Sequence, residues 1–107
     1  MKELLVHLRK YDNDKNLQAK GGATVYFAPT DKGTYRLWIA LCSDQDVFCR
    51  KIGTAIVKGR EQVYGDGAVE LSSLEEVKDA LFNAVKKVGD RRPYDFWEKL
   101  VSKMSTS

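Results

Sequence analysis

The chain is poor in the residues that build metal sites and has no long apolar run. It contains one histidine and two cysteines among 107 residues, and no stretch of eighteen apolar residues. A structural zinc site takes about four ligands, mostly His and Cys, so we expect no zinc site. Without a long apolar run we expect no transmembrane helix, and the N-terminal MKELLVHLRK carries charges where a secretory signal is apolar. We expect a cytoplasmic protein.

The two cysteines, Cys42 and Cys49, have a spacing that fits more than one interpretation. The spacing allows a disulfide, but nothing else in the chain points to an oxidising compartment. Unpaired cysteine is among the most buried residue types in proteins. We therefore expect two buried free thiols.

The residue combinations that catalysis requires are also missing. Hydrolases and transferases need a nucleophile with a base, paired carboxylates or a metal cluster, and none stands out. His7 is the only histidine, and a lone histidine on a strand is usually a half-exposed polar residue. Gly65-Asp66-Gly67 lacks the lysine of a phosphate loop and the ligand series of a calcium loop, so it predicts a turn. We therefore expect that the protein is not an enzyme and that it binds no metal and no cofactor.

The size and charge of the chain are those of one small domain. A length of 107 residues, with 43% hydrophobic and 31% charged residues, is enough for a single core, so residues 1–107 are expected to form one domain. The net charge of +3 is mild. Positive charge recruits polyanions only where it is clustered, so the positions of the cations matter more than their number.

Three segments alternate between apolar and polar residues, as strands do. They are the run from Glu3 to Lys10, ATVYFA at 23–28 and TYRLWIALC at 34–42. The loop PTDKG between the second and third runs predicts a hairpin, because Pro and Gly favour turns. A short fourth strand is predicted around Val69 and Leu71.

Three helices are predicted from apolar residues at helical spacing. The first is expected to be capped by Ser43 or Asp44, and to end at Gly59. Its predicted inward residues are Phe48, Ile52, Ala55, Ile56 and Gly59. The second has the capping box of Ser73 and Glu76 and ends at Gly89. The third begins near Asp95 after Pro93, and the D-x-x-E pattern of Asp95 to Glu98 predicts its cap. The order β-β-β-α-β-α-α predicts an α+β fold, an antiparallel sheet of three or four strands with helices on one face.

The face of the sheet turned away from these helices carries rings beside cations. If the aliphatic residues of the strands face the helices, then Arg9, Tyr26, Arg36 and Trp38 share the other face together with His7. Bases stack on such rings while arginines neutralise phosphates. Tyr26 and Trp38 are also explained as a cross-strand pair that stabilises the sheet, or as part of a homodimer interface.

A second set of cations follows on the first helix and just beyond its predicted end. It consists of Arg50, Lys51, Lys58 and Arg60. Such a helix side is most often only solvated, but it also suits phosphates or an acidic partner. Arg91 and Arg92, before Pro93, form a third cationic spot.

The stretch from Phe48 to Arg60 also carries a resemblance. With Phe48, Arg50, Lys51, Gly53, Ile56, Gly59 and Arg60 it follows the pattern F-x-R-K-x-G-x-x-[AI]-x-x-G-R. This pattern resembles that of small phage-encoded accessory proteins of unassigned function, over about a sixth of the chain. The resemblance implies a regulator that binds a host protein, nucleic acid or a nucleotide signal, and it transfers no catalytic residue.

Two functional hypotheses follow from the sequence. The first is a non-enzymatic regulator that binds nucleic acid or nucleotides through the aromatic and basic sheet face, with the cations of the first helix neutralising phosphates. Its affinity should fall as salt rises. The alternative is a phage-type inhibitor that binds and blocks a host protein through the sheet or the helix.

Overall fold

A computed structural model describes residues 3–43, 45–63 and 69–105. The strands are β1 (Leu4–Leu8), β2 (Ala23–Pro29), β3 (Tyr35–Leu41) and β4 (Val69–Leu71). The helices are α1 (Arg50–Val63), α2 (Leu74–Val88) and α3 (Tyr94–Ser102), with a short 3₁₀ turn at Lys103–Ser105. The predicted α+β class and element order are confirmed. The predicted turn at Gly65-Asp66-Gly67 lies outside the described residues.

The strands form one antiparallel sheet in the order β1-β2-β3-β4. Val6 lies opposite Val25, and Val25 lies opposite Ile39, so the three long strands are in a register that puts their aliphatic residues on one face. The hairpin between β2 and β3 is confirmed. Its turn is closed by the Thr30 N–H, which donates to the Thr34 carbonyl at 2.9 Å.

One face of the sheet, which we call the first face, is covered by α2 and α3. The buried cluster there joins strand residues such as Val25 and Phe27 to Leu81 of α2 and Trp97 of α3. Burying such side chains stabilises the fold by about 1.5–3 kcal/mol each. The predicted start of α2 is confirmed, because the Glu76 N–H donates to the Ser73 hydroxyl at 3.2 Å.

The second face of the sheet is covered by α1. Val57 of α1 is buried against Tyr26, Trp38 and Ala40, which lie on the strand positions that alternate with the first cluster. The prediction of helices on one face is therefore wrong, although the assignment of the aliphatic residues to the face under α2 and α3 is confirmed. Tyrosine and tryptophan carry large apolar rings as well as a polar tip, so a face that displays them is apolar enough to bind a helix.

A glycine lets α1 lie close to the sheet. A Cβ atom added at Gly53 would lie 2.0 Å from the Thr24 hydroxyl oxygen, and Thr24 is fully buried. A larger residue at this position would hold the helix away from β2. The absence of a Cβ atom at Gly53 therefore permits the contact that covers the second face.

The bounds of α1 differ from the prediction at both ends. The segment before it does not become helical because its backbone bonds to the 19–21 segment: the Gly21 N–H donates to the Asp46 carbonyl at 3.1 Å, and the Phe48 N–H to the Ala19 carbonyl at 2.9 Å. The helix therefore begins at Arg50, and it continues through Gly59 to Val63. Asp44, one of the two predicted caps, lies outside the described residues. The described helices are all too short or too polar to cross a membrane.

The third helix also starts differently from the prediction. Pro93 is its N-cap residue and supplies no side-chain hydrogen bond, so the predicted cap at Asp95 is wrong, and Asp95 lies in the first turn. The segment that leads into this helix is instead held in place by Asp90. Its buried carboxylate accepts hydrogen bonds from the Arg9 N–H at 2.9 Å and from the Arg92 guanidinium at 2.7 Å.

Candidate binding surfaces around the first helix

The predicted ring platform does not face solvent. Tyr26 is 1% exposed and Trp38 is 6% exposed, and the two rings stack with their centroids 5.5 Å apart beneath α1. The prediction that these rings are open to bases is therefore wrong. The cross-strand pair, which the sequence left open as an alternative, is what the structure shows.

Lys58 belongs to this ring pair. Its ammonium lies 4.6 Å from the centroid of the Tyr26 ring and 3.1 Å from a carboxylate oxygen of Glu3. The Tyr26 hydroxyl donates to the same carboxylate, and this hydrogen bond, followed by the one from Lys58, lowers the pKa of Glu3. Lys58 is thus already engaged in holding α1 over the second face.

Arg36 lies apart from the other predicted cations. It is half-buried on β3, opposite Glu70 of β4. Together with Trp38, Lys32 and Asp31 it lines an open polar cleft of about 400 Å³ near the β2–β3 turn. Two cations and two carboxylates line this cleft, so it has no marked preference for one sign of charge.

Two of the predicted cations, Arg9 and Arg50, each have a neighbour in the group formed by Phe48 and His7. The Arg9 guanidinium lies 4.8 Å from the centroid of the Phe48 ring, whose edge contacts His7 at a centroid distance of 5.9 Å. Arg50, at the start of α1, acts electrostatically on the same histidine. Lys51 is exposed on the outer side of the helix, and the side chain of Arg60 lies outside the described part of the structure.

An apolar cleft of about 390 Å³ lies between the start of α1 and the end of β3, and Phe48 and Thr24 are part of its lining. It is surrounded by four aliphatic residues that are well exposed: Leu41 at 66%, Val47 at 67%, Ile52 at 62% and Ile56 at 40%. Scattered exposed aliphatic residues are ordinary, but four around one concave site form a contiguous apolar patch. We call this surface the α1 cleft.

The sequence pattern assigned Ile52 and Ile56 to the buried side of the helix, and this was wrong. The helix is turned so that Gly53 and Val57 face the sheet. The signal that could have indicated this is the pairing of a glycine with a valine four residues later, since small residues mark the closest approach of a helix. The spacing of the apolar residues along the helix instead placed Ile52 and Ile56 on the predicted buried side.

The two cysteines both line the α1 cleft. They are free, but Cys49 is exposed and Cys42 is half-buried, so the prediction of buried thiols is wrong. The Cys42 thiol donates to the Asp46 carbonyl at 3.4 Å. Within residues 3–43, 45–63 and 69–105, no group of three His, Cys, Asp or Glu side chains is placed to hold a metal ion.

Comparison with known proteins adds no family to this description. No protein-family model, no curated protein and no solved structure matches the chain. The resemblance to phage accessory proteins stays a prediction.

Proposed function

We propose that this protein is a non-enzymatic binding protein whose α1 cleft takes up an apolar segment of a partner protein. The observation that supports this function is the ring of four exposed aliphatic side chains around one open cleft. Fully burying an aliphatic side chain contributes about 1.5–3 kcal/mol. Covering four that are partly exposed therefore supplies several kcal/mol toward association, before the entropy cost of binding.

The partner segment is expected to carry acidic residues beside its apolar ones. Arg50 and Lys51, at the start of α1, are both exposed and lie next to Ile52. The first turn of α1 contains no acidic residue. Opposite charges across an interface speed association and select the partner, while the apolar contacts supply most of the affinity. This function belongs to the same class as the alternative hypothesis stated from the sequence, a protein that binds and blocks another protein.

The nucleic-acid hypothesis loses its stacking surface. Tyr26 and Trp38 are buried beneath α1, so bases could reach them only if α1 moved away. What is left for nucleic acid is the set of exposed cations, which makes binding dependent on charge and sensitive to salt. An apolar partner in the α1 cleft should instead stay bound as the salt concentration rises.

Site-specific crosslinking tests the proposed function. A photo-crosslinking amino acid is placed at position 47, at the mouth of the cleft, and in a second protein at position 99, which is exposed on α3. After irradiation in cell lysate, with and without nuclease treatment, we expect the same defined protein adduct from position 47 in both samples and none from position 99. Ile52→Ser should abolish the adduct, whereas Val69→Ser, a matched loss of an exposed aliphatic on β4, should not.

Each other outcome contradicts the proposal in a recognisable way. An adduct of twice the chain's own mass would show that a second copy of this protein fills the cleft. An adduct that disappears with nuclease would assign the surface to nucleic acid. Equal labelling from positions 47 and 99, or an adduct that survives Ile52→Ser, would show that the cleft is not the docking site.

A further inference from the structure

The concave surface of the α1 cleft continues past the end of β3. A second open pocket, of about 430 Å³, shares Leu41, Cys42 and Ser43 with the lining of the cleft. Lys87 and Val88, in the last turn of α2, also line this pocket. We call it the strand-end pocket. It joins the surface around α1 to the end of α2.

A third pocket, of about 310 Å³, continues the same surface between the sheet and α2. It shares Leu41, Lys87 and Val88 with the strand-end pocket. Apart from Lys87 and Asn83, its lining is aliphatic and consists of Ala23, Ile39, Leu41, Ala80, Ala84 and Val88. We call it the α2 pocket. Leu41, which is 66% exposed, lines all three pockets and lies where they meet.

The α1 cleft and the α2 pocket lie on opposite faces of the sheet. Ala40 lines the cleft and belongs to the cluster beneath α1, whereas Ala23 and Ile39 line the α2 pocket and pack in the cluster beneath α2. A straight helix of a partner, about 10–12 Å across with its side chains, can occupy only one of the two. An extended chain can occupy both, because it bends more easily around the end of a strand and its side chains point alternately to two sides.

Lys87 places a positive charge in the middle of this path. It is exposed, and it lines both the strand-end pocket and the α2 pocket. Among the residues that the structure describes, no carboxylate lines either of these pockets, and Lys87 forms no ion pair. An acidic side chain of a partner would complement this charge. Lys86 is also exposed in the same turn of α2, but it does not line any of the three pockets.

We propose that the partner segment is an extended chain that crosses the end of β3 and occupies both the α1 cleft and the α2 pocket, with an acidic residue over Lys87 between two apolar residues. Pockets that accept alternate side chains are a common way of recognising extended segments. This inference rests on the proposed function of the α1 cleft, and it adds the conformation and the residue pattern of the partner segment.

Crosslinking from both ends of the path tests this inference. The photo-crosslinking amino acid is placed at position 83, which is exposed on α2 beside the α2 pocket, and the result is compared with that from position 47. We expect both positions to label the same protein. Mass spectrometry of the adducts should place the two attachment points within about ten residues of each other, a length that spans at most about 35 Å when extended. The labelled segment should carry Asp or Glu between apolar residues.

A synthetic peptide with the sequence of the labelled segment then tests the contact with Lys87. Replacing the acidic residue of the peptide by the matching amide should weaken binding roughly two- to fivefold, as expected for an exposed ion pair. Lys87→Gln should weaken binding of the unchanged peptide by a similar factor, and the amide should then have no further effect. Lys86→Gln is the matched control and should leave the affinity unchanged.

The outcomes separate this inference from the proposed function. An adduct from position 47 with none from position 83 would keep the α1 cleft as the docking site and overturn the path to α2. The absence of an adduct from both positions would overturn the proposed function and this inference together. Attachment points in distant segments of the partner, an adduct of twice the chain's own mass, or equal effects of Lys86→Gln and Lys87→Gln would each contradict the proposed segment.

Discussion

Replacing each of two glycines of α1 by alanine should change stability in opposite directions. Both Gly53 and Gly59 lie inside the helix, where alanine is favoured over glycine by about 1 kcal/mol. An added Cβ at Gly59 has no atom within 4 Å, so Gly59→Ala should stabilise the protein by roughly that amount. At Gly53 the same atom would lie 2.0 Å from the Thr24 hydroxyl oxygen and 2.9 Å from its Cβ.

The clash at Gly53 cannot be relieved by a small side-chain movement. Thr24 is fully buried on β2, between β1 and β3, and its hydroxyl lies beside the His7 ring. Overpacking of this kind costs about 1–3 kcal/mol. After the gain of about 1 kcal/mol in helix propensity, Gly53→Ala should destabilise the protein by up to about 2 kcal/mol. Each kcal/mol of lost stability lowers the Tm by roughly 4–8 °C for a domain of this size.

Urea denaturation followed by circular dichroism measures both variants against the wild type. The expected result is a higher unfolding midpoint for Gly59→Ala and a lower one for Gly53→Ala, at equal m-values. Adding Thr24→Ala to Gly53→Ala should recover part of the loss, since it removes the nearest atom. If Gly53→Ala stabilises as much as Gly59→Ala, then α1 does not pack on Thr24 and the placement of the helix is refuted.

Three further results are expected. Folding holds the pKa of His7 below the 6.5 of an unperturbed histidine, so the unfolded chain binds a proton at this position more readily than the folded protein. The contribution of His7 to the free energy of unfolding should therefore be complete above pH 6.5 and decrease as the pH is lowered. His7→Gln should flatten that decrease in urea titrations at pH 5.5–7.5. Asp90→Ala removes the buried carboxylate that holds Arg92 and should lower the free energy of unfolding by about 3–5 kcal/mol in the same assay. The control Asp79→Ala, on the exposed side of α2, should change it by less than about 0.5 kcal/mol. A similarly small effect of Asp90→Ala would contradict the described network. Because Cys49 is exposed and Cys42 half-buried, a thiol-specific chromophore should label the native protein in two phases, and Cys49→Ser should remove the fast phase. A single slow phase in the wild type would contradict the open cleft.

The strand pattern carried most of the information about the sheet. Alternation in three runs was enough to predict the strands, their pairing through the PTDKG turn and the face on which Val25 and Phe27 lie, because side chains on a strand alternate between two faces. The caps of α2 were equally predictable, since Ser73, Glu76 and Gly89 each satisfy a local backbone requirement.

The second covering helix was not predictable from the same rules. Tyr26 and Trp38 are amphipathic, so their positions on a strand fit both an exposed binding face and a face covered by a helix. The choice depends on α1, which comes later in the chain, and on the close contact between Gly53 and Thr24. That contact turned Ile52 and Ile56 outward, so the α1 cleft appeared where local periodicity predicted core.

The cations were predicted by type but not by grouping. Arg50 is 43 positions from His7 in the chain, and the packing of α1 on the second face of the sheet brings it into the electrostatic neighbourhood of that histidine. Arg9 lies at the Phe48 ring. Arg36, predicted with them, lies instead at the β2–β3 turn. Long-range placement of this kind depends on tertiary packing, which a local pattern does not specify.

The most direct measurement of the packing on which the α1 cleft depends is the solvent access of the tryptophans. The chain contains two, Trp38 beneath α1 and Trp97 in the core under α3, and both are buried. Iodide and acrylamide quenching of intrinsic fluorescence should therefore be weak for the whole emission, which should become fully quenchable in urea. If about half of the native emission is quenched as readily as free tryptophan, Trp38 faces solvent and α1 does not cover the second face of the sheet.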